Sequence, residues 1–167
     1  MTTKPTKLSE KTKSAIQALY TKYEMRESAI MPALHWVQDQ MGYIPTEAVD
    51  ELAEFMELPR TKIDEVVKFY TMYHQKPVGK YHFQVCRNLT CCMFDSTSIR
   101  EEIKKRIGVE KPKEVSKDGL FSYEEVECLG SCGTAPVVMV NQDYYESCDK
   151  PQVQKLIQRL REGGERS

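Results

Sequence analysis

The sequence lacks the glycine-rich motifs that bind nucleotide phosphates. Neither G-x-G-x-x-G nor a P-loop occurs in its 167 residues, and no nucleophile–base arrangement is evident. It also lacks a charge excess, since 24 Lys and Arg face 25 Asp and Glu, whereas nucleic-acid-binding domains usually carry a basic surplus. We therefore expect no nucleotide site, no catalytic residue and no nucleic-acid partner on this chain.

Long apolar runs are absent as well. The longest extends from Ala135 to Val140, whereas a membrane-spanning helix needs about 20 apolar residues. Residues 1–7 are polar and show neither the apolar core of a signal peptide nor the arginine-rich pattern of a transit peptide. We expect a cytoplasmic protein without direct membrane insertion. In that compartment, six cysteines favour metal or redox chemistry over a disulfide framework.

The N-terminal part of the chain shows a helical period of apolar residues. The pattern predicts four helices, over residues 9–23, 28–41, 46–57 and 61–70. Thr46 is expected to cap the third helix, and Thr61 with Asp64 to form a capping box on the fourth. Trp36, at helical spacing, is expected in the core. We predict an N-terminal four-helix region over residues 1–76, with a disordered tail at residues 1–7.

The period changes after Pro77-Val78-Gly79. The pattern predicts strands over residues 80–85, 121–127, 137–140 and 144–145. It also predicts one helix capped by Ser96 and a final helix that Pro151 starts, followed by a tail at residues 163–167. One mixed sheet with helices packed on it is the economical arrangement. The fold class is therefore α+β, with a second domain over residues 77–167.

All six cysteines lie in that second domain, five of them between Cys86 and Cys132, and four of these five form two spaced pairs. Cys86-x4-Cys91 and Cys128-x3-Cys132 each begin where a predicted strand ends, so a fold could bring both pairs into one closed site. Thiolates suit iron–sulfur clusters, zinc or Cu(I). The spacings match neither plant-type nor bacterial ferredoxin runs, and no C-x-x-C dithiol occurs. Spacing alone leaves a two-iron cluster and structural zinc equally open.

The residues around the cysteines favour the cluster. Gly130 and Gly133 allow tight turns in which amide N–H groups point at sulfur, and such hydrogen bonds tune a cluster's reduction potential. Arg87 and Glu127 place charges nearby, although the simpler interpretation is that they are solvated loop residues. If a cluster is present, a carboxylate such as Glu127 is expected to lower its potential.

These motifs resemble a known family. The segment from Val126 to Pro136 reads Val-Glu-Cys-Leu-Gly-Ser-Cys-Gly-Thr-Ala-Pro, and it follows Cys86-x4-Cys91 and precedes Asn141 and Tyr144-Tyr145-Glu146. Together with Val37–Pro45 and Phe69–Tyr73, it resembles the thioredoxin-like [2Fe–2S] subunit of NADH:quinone oxidoreductase, the bacterial respiratory complex I. The resemblance extends over residues 14–161.

The resemblance implies a thioredoxin-like domain that carries one [2Fe–2S] cluster on Cys86, Cys91, Cys128 and Cys132. It implies a one-electron carrier that is part of an enzyme but is not catalytic alone. FMN and the NADH site would belong to a partner flavoprotein subunit with its own iron–sulfur cluster. The cluster would serve as a side acceptor away from the main path to quinone, and the complex would place the chain at the inner membrane.

Two cysteines depart from the family pattern, and two other functions stay open. Cys92 lies beside a proposed ligand and could compete with it, whereas Cys148 is most simply a small packing residue. The same electron-carrying role could serve the diaphorase module of an NAD-linked hydrogenase or formate dehydrogenase. A zinc-stapled interaction module without redox activity is the alternative from a different class.

Overall fold

The computed structural model describes residues 7–163. Almost all of the predicted tails, residues 1–6 and 164–167, thus lies outside the described residues. The chain divides between Pro77 and Val78 into two compact units, here called the helical unit and the sheet unit. No helix within the described residues is both long and apolar enough to span a membrane.

The helical unit contains the four predicted helices. They are α1 (Glu10–Leu19), α2 (Ile30–Met41) after a 3-10 turn (Arg26–Ala29), α3 (Thr46–Met56) and α4 (Arg60–Phe69). Their apolar stripes form one core, which includes the fully buried Ile16, Leu34, Val37, Met41, Leu52, Met56 and Ile63. The expected burial of Trp36 is wrong, since this side chain is 38% exposed. It lies roughly 120° around α2 from Ile30, beside the apolar stripe rather than in it.

Proline, not threonine, precedes the third and fourth helices. Thr46 is the first residue of α3, and Pro45 before it is extended, with φ −71° and ψ 158°. Pro59 precedes α4 in the same way, and the expected capping box is absent. Asp64 instead pairs with Lys68, one turn along α4, at 3.4 Å. The proline ring fixes φ near −65°, a value that suits the extended residue directly before a helix.

As far as residue 163, the sheet unit contains four strands and three helices. The strands are β1 (Tyr81–Cys86), β2 (Phe121–Val126), β3 (Val138–Val140) and β4 (Asp143–Tyr145); the helices are α5 (Leu89–Met93), α6 (Ser96–Ile107) and α7 (Lys150–Arg161). The sheet order is β2-β1-β3-β4. Strands β1 and β2 are parallel, whereas the other two pairings are antiparallel. This is the mixed sheet that the sequence predicts.

The crossover through α6 makes β1 and β2 parallel neighbours. Phe83 and Val85 of β1 and Phe121 and Tyr123 of β2 share one apolar core with α6 and α7. In the register of the pair, Cys86 stands opposite Val126. Both strands therefore end at the same edge of the sheet, and the chain leaves that edge towards the two cysteine pairs.

Short elements and helix caps escaped the sequence prediction. Helix α5 spans five residues, too few for an apolar period to show. Ser96 does not cap α6; it is the first helical residue and is buried, after Asp95 in the left-handed region at φ 66°. Asp149 and Gln152 form a capping box around Pro151 at the start of α7.

A buried polar network links β1 and β2 through the carboxylate of Glu124. Oε1 of Glu124 lies 3.0 Å from His82 Nε2 and accepts a hydrogen bond from Gln84 Nε2 at 2.8 Å. Its other oxygen lies 3.0 Å from Lys113 Nζ. Burial alone would raise the pKa of Glu124, but these partners outweigh it and lower that pKa to about 2. The ionised carboxylate therefore stabilises the folded chain.

The Glu124 pKa predicts a pH-dependent loss of stability. Because the folded pKa lies below the ordinary value of 4.5, the contribution is complete above that value and disappears as the pH falls towards 2. We expect Glu124→Gln to lower the free energy of unfolding by about 3 kcal/mol at pH 7 and by progressively less between pH 5 and 3. Urea unfolding at several pH values measures this difference. Glu47→Gln, which removes an exposed carboxylate, is the control, and a pH-independent difference for Glu124→Gln would contradict the prediction.

Candidate metal centre

Both cysteine pairs begin at the edge of the sheet at which β1 and β2 end. Cys86 is the last residue of β1, and Cys128 follows the end of β2 by two residues. The backbone continues the pairing beyond the strands, since Arg87 N–H donates to Val126 C=O at 2.9 Å. Parallel strands with in-register ends therefore supply one cysteine from each of the predicted pairs.

Cys91 turns back from α5 towards Cys86. Both side chains are 2% exposed, and they pack with buried Val137 in a small apolar cluster that Leu129 and Ala135 partly cover. Burial, and next a hydrogen bond with the Cys86 thiol, raise the pKa of Cys91 to about 11, with a smaller contribution from Cys132. Cys86 and Cys91 are thus in direct contact, and Cys132 is near enough to contribute to the raised pKa of Cys91. Without a metal the Cys91 thiol therefore keeps its proton at neutral pH, so metal binding there would release it.

The second pair lies in an exposed loop, residues 128–134. Gly130, at φ 79°, adopts the left-handed conformation that suits glycine, and its N–H donates to Cys128 Sγ at 3.3 Å. This is the amide-to-sulfur contact that the glycine pattern predicts. A 3-10 turn over Cys132–Thr134 then places Cys132 at the surface.

The structure turns Cys92 away from this group. Its Sγ–H donates to the Arg87 carbonyl at 3.1 Å, and the Ser96 hydroxyl donates to the same sulfur at 3.8 Å. Consecutive helical residues point about 100° apart, so when Cys91 faces Cys86, Cys92 faces solvent. Cys148 is buried in the core of the sheet unit, and its thiol donates to the Tyr145 carbonyl at 3.1 Å. Its predicted packing role is confirmed.

A surface ion pair joins the two strand ends. Arg87, next to Cys86, donates to Glu127 Oε1 from Nε at 3.0 Å and from Nη2 at 2.6 Å, and Glu127 is next to Cys128. The guanidinium offsets much of the charge of Glu127, and the expected lowering of a cluster's potential by Glu127 stays a prediction. The pair adds little net charge to the site and ties its two halves together.

Sequence reasoning missed the residues that hold the exposed loop. The carboxylate of Glu146 accepts hydrogen bonds from the hydroxyls of Ser131 and Thr134, which flank Cys132. Tyr144 O–H donates to the Leu129 carbonyl at 3.1 Å. The only signal in the sequence is a pair of hydroxyl residues three apart around a cysteine, with a carboxylate after the next hairpin. Glu146 belongs to the family-like motif, but the motif alone does not indicate its role.

The donor set fits a [2Fe–2S] cluster. The predicted ligands are all thiols, an amide N–H already points at one sulfur, and an apolar cover lies over the buried pair. Four thiolates are the usual ligands of such a cluster, and hydrogen bonds to sulfur are among the features that set its potential. A four-thiolate site would also accept zinc, so the geometry by itself does not choose between the two.

Comparison with known proteins favours the iron–sulfur cluster over zinc. Residues 16–161 match the thioredoxin-like [2Fe-2S] ferredoxin family. The E-subunit of the NADH-quinone oxidoreductase of Rickettsia bellii is 41% identical over 166 residues, which cover 96% of this chain and 99% of the relative. NADH-quinone oxidoreductase subunit 2 of Thermus thermophilus is 39% identical over 151 residues, 89% of this chain and 83% of the relative.

The solved structures support the fold. A crystal structure of an NAD+-reducing [NiFe]-hydrogenase in the H2-reduced state superposes with a TM-score of 0.69 at 18% identity. The superposition covers 80% of this chain and 22% of the hydrogenase chain. At this identity the likeness concerns the fold alone, and it agrees with the predicted thioredoxin-like domain.

Thiol accessibility tests the arrangement of the six cysteines. In the metal-free chain, iodoacetamide at pH 8 should first modify the exposed thiols, those of Cys92, Cys128 and Cys132. The buried thiols should react last, because burial blocks the reagent and raises the pKa of Cys91 and Cys148 to about 11. Mass spectrometry of timed samples, with circular dichroism to verify folding, gives the order. Modification of Cys91 as fast as Cys92 would contradict the structure.

Proposed function

The chain belongs to the thioredoxin-like [2Fe-2S] ferredoxin family, and on this premise we propose that it is the electron-carrying [2Fe–2S] subunit of an NADH-quinone oxidoreductase. It would hold one [2Fe–2S] cluster on Cys86, Cys91, Cys128 and Cys132. It would exchange single electrons with the FMN of a partner flavoprotein subunit that oxidises NADH.

One observation supports the proposal: β1 and β2 are parallel and end at the same edge of the sheet, and one cysteine pair begins at or just after the end of each strand. When bound there, a [2Fe–2S] cluster supplies a centre that takes up and gives back one electron. The chain holds the ligands in place through the apolar cover of Val137 and the N–H of Gly130. The paired charges of Arg87 and Glu127 keep the strand ends together.

A partner is required because NADH gives up its electrons as hydride. Hydride transfer needs a nicotinamide or flavin site, and this sequence contains no nucleotide motif. The surface beside Cys91 is consistent with docking: Leu89, Met93 and Phe94 are apolar and between 59% and 76% exposed. Exposed apolar groups of this kind commonly mark interaction sites. The flavoprotein is the partner we propose, and its complex would keep the chain beside the inner membrane.

The comparisons favour this assembly over its alternatives. Full-length similarity at 41% to an NADH-quinone oxidoreductase subunit is stronger support than an 18% likeness to a hydrogenase chain that this protein covers only in part. The family match to [2Fe-2S] proteins likewise favours a cluster over zinc. An absorption spectrum separates these two metals directly, since a two-iron protein is brown and a zinc protein is colourless.

Cysteine replacement tests the ligand set. We expect replacement of any one of Cys86, Cys91, Cys128 or Cys132 by Ala to remove or strongly destabilise the cluster, because each supplies one of four protein bonds. Iron and sulfide analysis and the visible spectrum of the purified protein measure this loss.

Two other cysteines serve as matched controls. Cys92→Ser and Cys148→Ser should retain the iron content and the spectrum, because the structure directs Cys92 towards Arg87 and buries Cys148 in the core. Loss of iron in Cys92→Ser, together with its retention in Cys91→Ser, would overturn the assignment.

The route of electrons is tested by electron paramagnetic resonance, in which the oxidised cluster is silent and the reduced one gives a signal. The isolated chain should give the reduced signal with dithionite and none with NADH, because it has no hydride acceptor. Addition of the flavoprotein subunit should allow NADH to produce the signal. A full signal from NADH alone, with flavin shown to be absent, would mean that this chain has its own hydride chemistry.

A further inference from the structure

The end of β4 and the residues after it make a series of hydrogen bonds to the exposed loop and the residues that follow that loop. Besides the Tyr144 contact to Leu129, Ser147 N–H donates to the Thr134 carbonyl at 2.7 Å. Cys148 N–H donates to the Pro136 carbonyl at 3.0 Å. Residues 144–148 thus bind residues 129–136 by a series of hydrogen bonds, here called the β4 brace.

Glu146 is the centre of the β4 brace. Its Oε1 accepts from the Thr134 hydroxyl at 2.7 Å and from the Ser131 hydroxyl, and these two hydroxyls lie 2.8 Å from each other. Both bonds lower the pKa of Glu146, so the carboxylate is ionised at neutral pH. The residues on either side of Cys132 are thus tied to one negative charge.

The loop has little else to fix it. Cys128, Gly130, Cys132 and Gly133 are exposed, so Leu129, which packs against the buried cysteine pair, is the apolar anchor of the loop. Where burial contributes little, polar contacts decide which conformation a loop adopts. Groups that hold a metal ligand in position by hydrogen bonds commonly contribute to metal binding. Their removal typically lowers the metal affinity roughly 10–100-fold.

We propose that Glu146 is a positioning residue for Cys132: through Ser131 and Thr134 it holds the loop in the conformation that binds the cluster, and its negative charge disfavours reduction of that cluster. The inference rests on the proposed function, because it requires a cluster on the four cysteines. The two effects are separable, since one depends on the hydrogen bonds and the other on the charge.

Three variants of the cluster-bearing protein separate them. Glu146→Gln keeps an acceptor oxygen and removes the charge. Glu146→Ala removes both. The double variant Ser131→Ala/Thr134→Val keeps the charge and removes the hydroxyl donors. Glu162→Gln is the control. This exposed glutamate also accepts a side-chain hydrogen bond. It follows α7, so about 18 Å of helix separates it from Asp149, the residue directly after the β4 brace.

Two measurements are made on each variant, the rate of cluster loss to an iron chelator and the midpoint potential by redox titration. Glu146→Ala and the double variant should lose the cluster at least about tenfold faster than the unmodified protein. Glu146→Gln should lose it at nearly the unmodified rate. Both Glu146 variants should raise the potential, by up to about tenfold in the reduction equilibrium, which is about 59 mV for one electron. The double variant and Glu162→Gln should not raise it.

The outcomes distinguish this inference from the proposed function. Absence of a cluster from the unmodified protein, with thermal unfolding showing it folded, would overturn the proposed function. A normal cluster whose loss rate and potential are unchanged in Glu146→Ala would overturn the inference and leave the function intact. Faster loss in Glu146→Ala together with unchanged loss in the double variant would also overturn it, because the effect would then not pass through Ser131 and Thr134.

Discussion

The parallel pairing of β1 with β2 is the constraint on which the site depends. It places Cys86 opposite Val126, so both chain segments leave the sheet at one edge, and each of the two cysteine pairs begins where one of these segments leaves. An antiparallel pairing would send them to opposite ends of the sheet. The helical crossover through α6 and the apolar core beneath it are therefore as much a part of the site as the cysteines.

The two halves of the site are held by different forces. Cys86 and Cys91 lie under Val137, where burial fixes the side chains and raises the pKa of Cys91. Cys128 and Cys132 lie in an exposed loop that Tyr144 and the residues after it bind by hydrogen bonds. The buried half is defined by apolar packing, whereas the exposed half depends on hydrogen bonds that water can compete with.

Most of the fold could be predicted from the sequence, because it follows from the regular spacing of the apolar residues. The four N-terminal helices, the mixed sheet and the last helix have apolar patterns long enough to show. Features set by one or two residues escaped: α5 is too short for a period, Pro45 and Pro59 start helices where the pattern favours threonine caps, and Trp36 lies beside its stripe. Spacing identified the cysteine pairs, but the pairing of Arg87 with Glu127 and the role of Glu146 depend on contacts across the fold that no local pattern encodes.

Exposure of the second pair has a physical reason if the protein passes electrons to a partner. A site buried on all sides would have firm ligands, yet it would keep the partner's cofactor at a distance. Leaving Cys128 and Cys132 at the surface allows close approach but removes the apolar packing that would otherwise define their loop. The hydrogen bonds to Glu146 and Tyr144 supply that definition without covering the thiols. Cys92 is exposed as well, but helix geometry directs its thiol to the Arg87 carbonyl rather than towards Cys91.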